Sequence, residues 1–140
     1  MTGSMTKVSL ALAALVVGLA CLVYAGTAAA APTRTSCSDL SYLTSAVKEA
    51  KQSIAALKLA QRSRYSAALV PAGRALWIAK HAATPCDYDY RLQRAYEIKY
   101  AVATYRWLEE MRDGDTDAAD IYWSSVKFWG NEIRDISLGK

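Results

Sequence analysis

Thr84-Pro85-Cys86-Asp87 is the run that decides the fold of this chain. A capping Thr, a Pro at the first helical position and an acid at the third predict a helix start. The helix they open spans about 85–112, before Gly114. Cys86 lies inside the same run, so this start also carries a covalent handle.

Downstream, Asp115-Thr116-Asp117 predicts the next start, with acids placed at the positive end of a helix. Ala119, Tyr122, Val126, Trp129, Ile133 and Ile136 then recur at spacings of three and four, which is one helical stripe. Gly130 interrupts it at a cost of roughly 1 kcal/mol relative to Ala, and points to a close helix contact.

Upstream, Tyr65, Leu69, Ala72, Leu76 and Ala83 form a second stripe that contains Pro71. The helix either kinks at Pro71 or begins there. Leu40, Leu43, Val47, Ala50, Ile54 and Leu57 form the first stripe, capped by Ser36 or Ser38. Gln61-Arg62-Ser63-Arg64 breaks the pattern without Gly or Pro, so the sequence marks no sharp end for helix 1.

Four helices with short links predict an all-α, up-down-up-down four-helix bundle over residues 38–140. Cys37 opens helix 1 and Cys86 opens helix 3, at the same end of such a bundle, so a disulfide between them is expected. Residues 31–37 read as a short mobile lead-in. Before them, Lys7, an apolar run over 8–24 and the alanines at 28–31 have the form of a secretory signal peptide over 1–30. An uncleaved membrane anchor and lipidation at Cys21 are the alternatives.

The 140 residues suit one domain, and the formal charge of +4 is unevenly spread. Residues 41–82 carry seven basic side chains and Glu49 alone as acid, whereas 107–140 carry four basic and eight acidic. Lys51, Lys58 and Arg62 share one flank of helix 1. They read as a solvated face or as a contact for an anionic envelope surface. An exported chain without a recognition motif argues against nucleic acid.

The single His and three Cys do not supply a zinc set, a C-x-x-C-H haem site or a di-iron E-x-x-H motif, so no cofactor is expected. His81 has no motif around it, and the acids near 109–120 read as helix-end charges. Neither a nucleophile with its base nor a glycosidase carboxylate pair is legible.

Two surfaces stand out instead. Tyr96, Tyr100 and Trp107 form one of two apolar faces on helix 3, which is either wedged between neighbours or open to a partner. Ile121 and Phe128, seven apart, point away from the main stripe of helix 4. The expected function is an exported, non-enzymatic protein-binding module of inhibitor, immunity or accessory-subunit type, with a protein partner or a second copy. A carrier of a small apolar ligand between helices, and a membrane-anchored domain, are the alternatives.

Overall fold

The structure, a computed structural model, describes residues 37–140. The expected signal peptide over 1–30, the lead-in up to residue 36 and Cys21 lie outside the described residues. Four helices make up the fold: α1 (Asp39–Ala60), α2 (Tyr65–His81), α3 (Tyr88–Asp113) and α4 (Thr116–Ser137). No strand occurs among the described residues.

The ends of the helices follow local chemistry. Ser38 caps α1 through its hydroxyl, which accepts from the Ser41 N–H at 3.2 Å. Asp115 caps α4 by accepting from the Ala118 N–H at 3.0 Å. Gly114 ends α3 in the left-handed region at φ 83°, a conformation that suits Gly because it lacks a Cβ.

Two expected boundaries shift. α3 starts at Tyr88, with Asp87 rather than Thr84 as its cap; Asp87 accepts from the Asp89 and Tyr90 N–H groups. The reason is long-range. The Thr84 carbonyl accepts from the Ser38 N–H at 2.9 Å, and the Asp39 carboxylate takes the N–H groups of Cys86 and Asp87. The run 84–87 is thereby bound to the start of α1 and cannot turn as a helix. α2, in turn, runs through Pro71 and starts at Tyr65. The α1–α2 link is closed by Ser63, which takes φ 57° although it is not Gly.

Cys37 and Cys86 are joined by a disulfide. It holds the starts of α1 and α3 together, with Cα atoms 5.0 Å apart. At the far end, Ala56 and Ala60 of α1, Ala68 and Ala72 of α2 and Leu108 of α3 form one apolar cluster. The end of α1 therefore lies beside the start of α2. The alanines of α2 leave little side-chain volume, which lets its backbone approach α1 on one side and α3 on the other.

α4 packs closely on α3 alone and makes no close backbone approach to α1 or α2 among the described residues. Gly130 of α4 faces Tyr100, whose Cε2 lies 3.5 Å from where a Cβ would stand, so the close contact expected at this Gly is present.

The buried face of α1 is rotated from the expected stripe. Tyr42, Ala46, Glu49, Ser53, Ala56 and Ala60 are buried at alternating spacings of four and three. Leu43, Ala50 and Leu57 of the expected stripe are buried at the edge of this face, and Leu40, its first member, is exposed.

Candidate functional site

The aromatic face of α3 is packed rather than offered to a partner. Tyr100 is 5% exposed and sits in a cluster with Ala103, Val126 and Ile133. Tyr96 and Trp107 are half-buried and meet α4 aromatics: Tyr96 lies 5.3 Å from Trp129, and Trp107 lies 4.7 Å from Trp123, between ring centroids. Of the two readings of this face, the wedged one holds, and these three residues are corrected from partner surface to interface between α3 and α4. The pairings also run in opposite order along the two helices, so α4 descends as α3 ascends. Leu108 on one face of α3 packs with α1 and α2, and Tyr100 and Ala103 on the other pack with α4, while Val102 stays exposed.

Ile121 and Phe128 are exposed, as their seven-residue spacing off the main α4 stripe suggested. Phe128 rests edge-on against Trp129 at 4.7 Å, and Lys99 stands over the Trp129 ring at 4.2 Å. The charge and aromatic contacts behind Phe128 hold it in place on the surface. A comparable pair lies on α2, where Val70 and Trp77 are also exposed. Trp77 stacks on His81 with centroids 4.4 Å apart, and the His81 Nδ1 lies 2.8 Å from the Trp77 carbonyl. Trp77 falls outside the expected α2 stripe of Tyr65, Leu69, Ala72, Leu76 and Ala83, so stripe periodicity does not point to this second pair. Its seven-residue match with Val70 was the available signal.

Lys51, Lys58 and Arg62 are exposed, as a solvated basic flank requires. The acid expected among these bases, Glu49, is not at the surface. It is 5% exposed, as is Glu97 of α3, and the Glu97 charge acts on it. The Glu97 carboxylate accepts from the Tyr42 hydroxyl and from the Gln93 side-chain amide, each at 2.9 Å.

Burial pushes the Glu97 carboxyl up to about 7, against the opposing pull of these two hydrogen bonds and of the Arg94 charge. Burial, and then the charge of Glu97, raise Glu49 well above the ordinary carboxylate range. Burial and then the Glu49 charge push the Tyr100 phenol up to about 12. The cluster therefore retains proton on carboxyl groups near neutrality. Two carboxyls on α1 and α3 resemble an acid–base pair in composition, but their burial closes them to a substrate. Nothing local in the sequence marks them, because neither Glu stands in a motif within its own helix.

Among the described residues no three His, Cys, Asp or Glu side chains converge as metal ligands. No helix among them is long and apolar enough to cross a membrane. Comparison with family models, with curated proteins and with solved structures found no match.

Proposed function

We propose that the protein is an exported, non-catalytic binding module, an up-down-up-down four-helix domain that acts through the outer face of α4. The observation that carries this is the pair Ile121 and Phe128. Both are more than half exposed on a helix whose Trp123, Val126, Trp129 and Ile133 pack in the cluster around Tyr100 of α3. Large apolar side chains held in place at a surface are the usual anchors of a protein interface. The disulfide and the N-terminal signal-like pattern support export.

The test is chemical crosslinking of the protein in its own host, comparing wild type with Ile121→Asp/Phe128→Asp. Neither residue is core, so far-UV circular dichroism should be unchanged. The double variant is expected to lose the crosslinked species that wild type forms. Lys51→Glu/Lys58→Glu, on α1, is expected to retain them. Equal crosslinking by the α4 variant would end this reading.

A further inference from the structure

The exposed faces of α2 and α4 match one another. On α2, Val70, Arg74, Trp77 and His81 are spaced four, three and four residues apart, and all are exposed. Such spacing keeps four side chains within one narrow strip of a helix. On α4, Asp117, Ile121, Ser124 and Phe128 have the same spacing, and all are exposed. The apolar pair in each strip is seven residues apart, which is about 10.5 Å along either helix.

Laid antiparallel, the two strips register along their whole length. Ile121 comes opposite Trp77, and Phe128 opposite Val70. The short Ser124 leaves room for Arg74, and Asp117 comes opposite the end of α2 that carries Lys80 and His81. Charge agrees with this register. α2 has Arg74 and Lys80 and no acid along its length, whereas the first half of α4 has Asp117 and Asp120 and no base before Lys127. The polarity extends beyond the strips, since the first half of the described chain is basic and its last third acidic. α4 packs closely on α3 alone, so its outer face is free to meet another helix.

We propose that a second copy of this chain is what docks here, with α4 of one molecule laid antiparallel on α2 of the next. This rests on the reading of α4 as a binding face and names its partner. The contact is heterologous: each molecule offers one face of each kind, so association closes into rings or continues as a chain. Opposite charge brings the faces together and apolar burial holds them, so added salt weakens assembly without abolishing it.

The test uses the full-length protein in sedimentation equilibrium, with Trp77→Asp, which spoils only the α2 face, and Phe128→Asp, which spoils only the α4 face. Wild type is expected to gain mass with concentration and to lose part of that gain in high salt. Each variant alone is expected to associate at least ~30-fold more weakly, the scale of losing one anchoring residue. An equimolar mixture is expected to regain association and stop at a one-to-one pair, because each variant keeps the face the other lacks. Val70→Glu and Ile121→Arg form a second pair, for use should either Asp variant lose its helical circular dichroism.

A wild type that stays monomeric at every concentration would overturn the proposal, as would a mixture that fails to pair. If wild type is monomeric and Ile121→Asp/Phe128→Asp still loses the crosslinked species that wild type forms, only the second-copy assignment fails. If wild type is monomeric and that double variant keeps them, the α4 binding face fails as well.

Discussion

The Tyr42 hydroxyl donates to the Glu97 carboxylate at 2.9 Å, joining α1 to α3 through residues 55 apart in sequence. Tyr42 is fully buried and Glu97 nearly so, and Glu49 adds a second carboxyl to the same interior. Two acids enclosed together stay tolerable only while proton remains on them, since ionising both would place like charges in a poorly solvated space.

Stability should therefore fall as pH rises. With Glu97 pushed up to about 7, the folded state holds a proton that the unfolded chain releases near 4.5. Between those values the folded state binds more protons, so stabilisation is full below the lower one and is lost through the higher. The loss is on the order of 3 kcal/mol. Urea unfolding at pH 5 and pH 8 measures it; equal midpoints would show that the pair does not retain its proton.

Glu49→Gln should flatten that profile. An amide preserves the shape of the neutral carboxyl but cannot ionise. The variant is expected to match wild type near pH 5 and to exceed it at pH 8 by roughly 1–3 kcal/mol. A uniform destabilisation at both pH values would mean that Glu49 is held as a charge.

Tyr42→Phe removes one of the two hydrogen bonds to Glu97 and leaves the ring in place. The expected destabilisation is about 1–3 kcal/mol, the cost of stripping a partner from a buried polar group. The variant should also go on losing stability to a higher pH than wild type does, because that bond holds the Glu97 carboxyl down and its removal lets the folded-state value rise. Denaturation midpoints across the same pH series report both effects.

Gly130→Ala should stabilise the protein. The new Cβ would meet Tyr100 Cε2 at 3.5 Å, an ordinary van der Waals distance. It would also remove the helix penalty of Gly, so a gain of about 0.5–1 kcal/mol is expected in thermal unfolding. Gly130→Leu, which pushes past that contact, should destabilise instead.

Reducing the Cys37–Cys86 disulfide should cost about 4 kcal/mol, from the entropy of a loop that links residues 49 apart. The helix starts should stay partly ordered, because the Asp39 carboxylate still accepts from the Cys86 and Asp87 N–H groups. Adding Asp39→Ala to the reduced protein is therefore expected to lower stability by a further 1–2 kcal/mol or so. Thermal melts with and without reductant separate the two contributions.

Legible in the sequence alone were the four helices, a Ser cap at 36 or 38, the start at Asp115, the Gly114 stop and the cysteine pair. These depend on spacing, capping and turn chemistry within a few residues, or on having only two cysteines beyond the signal-like segment. It also placed Ile121 and Phe128 outside, because a helical period of 3.6 fixes which residues share a face. Tertiary structure alone decided the rest. The start of α3 moved to Tyr88 because α1 captured the backbone of 84–87, a contact that no local pattern encodes. Tyr100 turned inward because α4 lay against it, and period cannot say which neighbour covers a face. Glu49 and Glu97 were invisible because each becomes unusual only when the packed helices enclose it away from water.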